Sequence, residues 1–192
     1  MRSIRAVIVV DVQRDFCEGG ALAAQDTRSL LQPLNIFIGD ARQRGELIVF
    51  TQDWHPNDHL SFKRNGGPWP IHCVAGSVGA ELTPPLVAAS GDLSIRKGTA
   101  REDEGYSMFE QTRLANQLHE YGVRSVGVCG IATEYCVRAT ALDAARSGFK
   151  VAVLTDLIRP IVLEATTDVL NELSDSAIHL MDSQTWSADE SA

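Results

Sequence analysis

Three reactive side chains stand just past strand-like runs. Asp11 follows Ala6-Val7-Ile8-Val9-Val10, Lys97 follows Ser94-Ile95-Arg96, and Cys136 lies beyond Val126-Gly127-Val128-Cys129 and the turn Gly130-Ile131-Ala132-Thr133. A thiol opening a helix feels the positive end of the helix dipole and nearby free N–H groups, which favour the thiolate and can hold an oxyanion. Such a nucleophile needs a proton acceptor. No histidine follows a strand near Cys136, and His119 and His179 read as surface or structural. Asp11, partly desolvated behind its apolar run, is the better candidate base. Lys97 on the same rim would stabilise the thiolate and hold the carboxylate. Taken singly, each has a plainer reading: a packing cysteine, a capping aspartate, a solvated lysine.

A second group lies in Asp53-Trp54-His55, with His59 and His72 following. In extended chain, residues i and i+2 point the same way, so Asp53 and His55 can share a ligand. Two imidazoles and a carboxylate suit Zn, Fe or Mn and leave positions open for water or substrate. Loop histidines bonded to backbone are the alternative. Phe16, Trp69 and Tyr106 flank these groups and suit a flat ring, or else belong to the core.

The elements that must position these groups are legible as patterns. Strands are expected over 4–10, 46–51, 93–96, 124–129, 150–154 and 176–181, as nearly continuous apolar runs. Helices are expected over 28–44, 109–121, 134–147 and 162–173, two of them stopped by Gly122 and Gly148. Pro33 must fall in the first turn of its helix or bend it, and Thr133 is the expected N-cap of the helix carrying Cys136. Alternating strands and helices predict an α/β fold: a doubly wound, mostly parallel sheet of about six strands with helices on both faces. Ligands in such sheets bind beyond the carboxyl ends of the strands, where Asp11, Asp53, Lys97 and the 130–136 turn all fall. Residues 52–92 break the alternation. Their aromatic and histidine content argues for an ordered, metal-binding excursion rather than disorder.

The 192 residues, 44% hydrophobic and 22% charged, suit one domain spanning 1–192. A formal charge of −8 argues against nucleic acid and anionic membrane surfaces as partners. There is no signal-like opening segment and no apolar run long enough to span a bilayer, so the expected setting is the cytoplasm. Four irregularly spaced cysteines make no disulfide framework or CxxC pair. A small-molecule substrate is expected; oligomeric state is open, and a homo-oligomer is compatible.

Six segments together carry a resemblance: Asp-Val-Gln-Arg-Asp-Phe-Cys at 11–17, Asp-Trp-His-Pro at 53–56, Trp-Pro-Ile-His-Cys-Val at 69–74, Ile-Arg-Lys-Gly at 95–98, Tyr-Ser-Met-Phe at 106–109 and Gly-Ile-Ala-Thr-Glu-Tyr-Cys-Val at 130–137. In this order they resemble the nicotinamidases (pyrazinamidases) among the isochorismatase-like cysteine hydrolases, from about residue 4 to 182. The resemblance implies the isochorismatase-like hydrolase fold and hydrolysis of nicotinamide to nicotinate and ammonia through a thioester. It implies a catalytic triad of Asp11, Lys97 and Cys136, an oxyanion hole from the N–H groups of Ala132 and Cys136, and a non-proline cis peptide before Ala132. Substrate contacts fall to Phe16, Trp69, Tyr106 and Ile131. Asp53, His55 and His72 become ligands of one divalent transition metal, zinc foremost, with iron or manganese accepted by the same donors. His59 matches a position that gives a further ligand in some members and that water replaces in others. Glu134 departs from the pattern, since many members carry Asp there. A carbamoyl or ureido amidohydrolase of the same fold is the alternative, but it would lack the three-donor metal set. A vinyl-ether hydrolase of this fold would need no nucleophilic cysteine.

Overall fold

A computed structural model describes residues 4–189. Six strands form one sheet in the order β3-β2-β1-β4-β5-β6, every neighbouring pair parallel. They are β1 (Ile4–Val10), β2 (Leu47–Asp53), β3 (Leu93–Lys97), β4 (Val123–Ile131), β5 (Lys150–Arg159) and β6 (His179–Met181). Between and after them run α1 (Thr27–Gln43), α2 (Leu114–Glu120), α3 (Arg138–Arg146), α4 (Thr166–Asp175) and α5 (Ser183–Ala188).

The near-continuous apolar strands are explained by cover on both faces. Along β1, Val7 and Val9 join the core under α1 and α5, with Leu30, Leu34, Phe37 and Trp186. Ala6, Ile8 and Val10 join the opposite core, with Leu114 and Leu118 of α2, Ala141 and Ala144 of α3 and Leu173 of α4. Side chains alternate across a strand, so each strand feeds both cores. Among the described residues, no helix is long and apolar enough to cross a membrane.

Several boundaries differ from the sequence expectation. The helix over 109–121 begins only at Leu114: the Thr112 hydroxyl donates to Met108 O and accepts from Leu114 N, and Gln111 has φ +52°. A side chain bonding locally to backbone competes with the helix ladder. Helix α1 starts at Thr27, which leaves Pro33 in its second turn. Strand β5 runs on to Arg159, β6 begins only at His179, and α5 was not foreseen. Thr133 does not cap its helix. It is the first residue of a π turn, Thr133–Val137, that precedes α3, and its buried hydroxyl has no partner.

Strand order reverses between β1 and β4, and the crevice outside their carboxyl ends is where ligands of such sheets bind. Asp11 stands at one lip and the π turn at the other. Residues 54–92 fold over this rim through short bridges, His55 with Val74 and Phe62 with Trp69, and bury Phe62 and Ala80.

Candidate active site

The β2–β3 register pairs Asp53 with Lys97, so these adjacent strand ends present carboxylate and ammonium side by side. The lysine stem then reaches past β2 toward β1 and β4. Lys97 Nζ donates to the Asp53 carboxylate and, at 2.6 Å, to Gly105 O. It lies 2.8 Å from Asp11 Oδ2 and 3.3 Å from Cys136 Sγ. All four side chains are buried. Asp11, at φ +47°, is oriented by Thr51, whose hydroxyl donates to Asp11 Oδ1 at 2.6 Å and accepts from Asp11 N at 3.1 Å.

The electrostatics follow from burial and from this single ammonium. Burial raises Asp11 above the ordinary carboxylate value, with Lys97 and Thr51 opposing. Burial also pushes the Cys136 thiol well above its usual range despite Lys97, so the resting sulfur keeps its proton. Lys97 itself, although burial opposes its charge, is held well above its ordinary value by Asp11 and Asp53. Burial likewise opposes ionisation of Asp53, but Lys97 and His55 hold it below the carboxylate range.

The other oxygen of Asp53, Oδ2, lies 3.4 Å from His55 Nε2. Ligand atoms of Asp53, His55 and His72 all fall within 4.8 Å of one another. The tautomers suit a metal: His55 Nδ1 bonds Gly98 O at 2.9 Å and His72 Nδ1 bonds Pro70 O at 2.8 Å. A carbonyl only accepts, so each Nδ1 carries a proton and each Nε2 is the atom left for a ligand; at His55 burial disfavours the charged ring, but Asp53 lifts the imidazole above its ordinary value. Burial holds His72 below its ordinary value, which favours its neutral form. Gly98 has φ +61°, and a Cβ on it would stand 2.4 Å from His55 Cε1, so only glycine leaves room for the ring.

His59 is not brought into this set. Its Nε2 is 2.7 Å from Asp103 O and its Nδ1 2.7 Å from Ser61 Oγ, and its ring stacks on His55 with centroids 4.1 Å apart. Both nitrogens are engaged with protein atoms. Phe62 packs against all three imidazoles, at 5.5 to 5.8 Å.

A narrow cavity opens above Cys136 and Asp53. Phe16, Trp69 and Tyr106 line it as expected, and Ala132 and His72 share its wall. Ile131 does not line it: the side chain is fully buried in the core, because β4 still alternates there. The peptide joining Ile131 to Ala132 is cis. Sequence reasoning missed Tyr135, Leu22 and Ile161, which also line the cavity. Tyr135 stacks on Tyr106 at 5.8 Å and meets Trp69 edge-on at 4.9 Å, while Trp69 Nε1 donates to Tyr106 Oη at 3.1 Å. Thr51, Gly98 and Gly105 were missed too. Of these residues, only Gly98 and Tyr135, inside quoted motifs, carried any signal. Glu134 keeps a structural post, its Oε1 accepting from Ile161 N and Val162 N at 2.9 and 2.6 Å, which ties the π turn to the segment after β5.

Residues 5–185 match the isochorismatase domain family. The chain is 38% identical over 186 residues to the nicotinamidase/pyrazinamidase of Mycobacterium tuberculosis, spanning 93% of this chain and 98% of that protein. It is 36% identical over 181 residues to the nicotinamidase of Escherichia coli, spanning 83% and 85%. Among solved structures, the pyrazinamidase of Pyrococcus horikoshii in complex with zinc aligns with a TM-score of 0.90 at 44% identity, covering 93% of this chain and 98% of that one. PnC1 from L. infantum in complex with nicotinate aligns at 0.87 and 37% identity, covering 96% and 95%. The family match takes in all six strands and each of the rim side chains described above, and the chain belongs to the isochorismatase family.

Proposed function

We propose that the protein is a nicotinamidase that hydrolyses nicotinamide to nicotinate and ammonia, with Cys136 as nucleophile. The observation that carries this reading is that Lys97 touches Asp11, Asp53 and Cys136 together, beneath an aromatic cavity into which Asp53, Cys136 and His72 open. Similarity to nicotinamidases and pyrazinamidases over nearly the whole chain supports it. The three-donor set of Asp53, His55 and His72 weighs against a carbamoyl or ureido substrate.

The chemistry follows from the protonation states. Asp11, its basicity raised by burial, takes the proton of the Cys136 thiol as the sulfur attacks the carboxamide carbon. Lys97 balances the charge that appears on the sulfur. The N–H groups of Ala132 and Cys136 face the developing oxyanion. Asp11 passes its proton to the departing nitrogen, the C–N bond breaks, and ammonia leaves behind a thioester on Cys136. Asp11 next takes a proton from a water molecule as its oxygen attacks the thioester carbon. The C–S bond breaks, the sulfur regains a proton from Asp11, and the acid gives its remaining proton to the released ammonia as it departs as nicotinate.

Asp53 Oδ2, His55 Nε2 and His72 Nε2 suit one divalent transition metal, zinc foremost. When bound, such an ion supplies a Lewis acid that can hold the pyridine nitrogen. Phe16, Trp69, Tyr106 and Tyr135 clamp the ring and exclude water. We assign the activity to NAD salvage in the cytoplasm.

Ammonia release from nicotinamide tests the reading. Wild type should be active, Cys136→Ala should lose at least about a thousandfold in kcat, and thorough chelation should abolish turnover. An inactive wild type, or an active Cys136→Ala, overturns it.

A further inference from the structure

The segment between Asp11 and the cavity wall holds two polar side chains that the proposed mechanism leaves unused. Gln13 is fully buried. Its Oε1 accepts from Asp53 N at 2.8 Å, and its Nε2 donates to Asp53 O and to Ala80 O, both at 2.9 Å. Strand β1 ends at Val10 while β2 runs on to Asp53, so backbone there has no partner strand on that side. The Gln13 carboxamide takes that place, giving Asp53 both a donor and an acceptor. Both N–H donors and one acceptor position of the amide are used, so it holds one orientation.

Two residues on, Asp15 Oδ2 accepts from Cys73 N at 2.7 Å. Cys73 sits at φ +45° directly after His72, a conformation a non-glycine residue adopts only when its surroundings impose it. Room for this carboxylate is built in: a Cβ on Gly79 would lie 2.1 Å from Asp15 Oδ2. Phe16 then packs its ring against His72 at 5.5 Å. Alternate residues of one short segment thus grip the two halves of the donor set, which lie about 20 residues apart in sequence and on no common element.

We propose that Gln13 and Asp15 are positioning residues that fix Asp53 and His72 at their mutual spacing and thereby set how tightly the site holds a divalent metal. The inference rests on the metal assignment made above. Outer partners of metal ligands commonly contribute about 10- to 100-fold in affinity.

The test challenges zinc-loaded protein with increasing concentrations of a colorimetric zinc chelator. Gln13→Leu and Asp15→Ala should surrender zinc at about 10- to 100-fold lower chelator than wild type. Asp15→Asn, which keeps an acceptor oxygen, should stay near wild type. Leu118→Ala, which thins the core behind α2, lowers stability without touching the site and should leave zinc retention unchanged. If Gln13→Leu fails to fold, Gln13→Glu takes its place, because it keeps the acceptor for Asp53 N and loses both donors; intermediate zinc retention is expected. Folded Gln13 and Asp15 variants that hold zinc within about twofold of wild type overturn the positioning role. A wild type that retains no zinc overturns the metal assignment instead, so the two failures are told apart.

Discussion

Lys97 and Asp53 are opposite one another in the β2–β3 register, and the lysine ammonium bonds the same carboxylate whose second oxygen faces His55. The proposed nucleophile site and the proposed metal site therefore share a residue. Lys97 is the ammonium that two buried carboxylates, Asp11 and Asp53, share.

Replacing that cation has a stability cost with a definite pH dependence. Lys97→Met leaves Asp11 and Asp53 as neighbouring buried carboxylates, and breaking a buried pair this way costs about 3–5 kcal/mol. Without the ammonium, both carboxyls titrate higher in the folded chain than in the unfolded one. The loss is full above those raised values and shrinks as pH falls through them. Denaturant melts with chelator present, at neutral and mildly acid pH, should show the gap to wild type narrowing in acid. An equal gap at both pH values defeats this account.

Asp11 must be ionised to accept the thiol proton, and burial raises its pKa. Turnover should thus fall with decreasing pH at a value above the roughly 3.9 of an ordinary aspartate. Thr51 bonds the ionised form, at 2.6 Å. Thr51→Val keeps the shape and removes that bond, so the acid limb of kcat/KM should move to higher pH still, with zinc content checked in the same samples. A limb that stays put, or moves down, removes Thr51 from the mechanism.

Gly98→Ala tests how the His55 ring is seated. The added methyl would stand 2.4 Å from His55 Cε1, against a backbone already at φ +61°. Displacing the ring breaks the Nδ1 bond to Gly98 O, and metal affinity should drop by about 10- to 100-fold. Metal analysis of the purified variant beside wild type gives the answer; equal zinc content would falsify the seating argument.

Trp69→Ala probes the clamp on the ring. Trp69 bonds Tyr106 Oη and meets Tyr135 edge-on, so its loss should loosen all three. The expected result is a KM for nicotinamide raised at least about tenfold, with a smaller change in kcat, as removal of ground-state binding does. A fall in kcat with KM unchanged would give Trp69 a role in the chemistry instead.

The sheet is legible in the sequence alone, because strands covered on both faces must be largely apolar, and β1 and β4 read that way. The residues at the strand ends are legible as well, since Asp11 and Lys97 each close a strand-like run. Asp53 and His55 were legible for a similar reason, as alternate residues of extended chain share a face. What the sequence left open depends on contacts between remote segments of the chain. The Asp53–Lys97 contact comes from strand register, and local pattern carries no register across a 40-residue excursion. His59 matches a ligand position of some family members yet turns both nitrogens to Asp103 and Ser61, packed against Phe62 and His55. Ile131 adjoins the reactive turn but faces inward, because β4 alternation persists to its last residue. Gln13 looks like any polar loop residue until β2 outruns β1 and needs a partner for Asp53. Composition and period identify which groups are present at the rim; only close packing decides toward which neighbour each one turns.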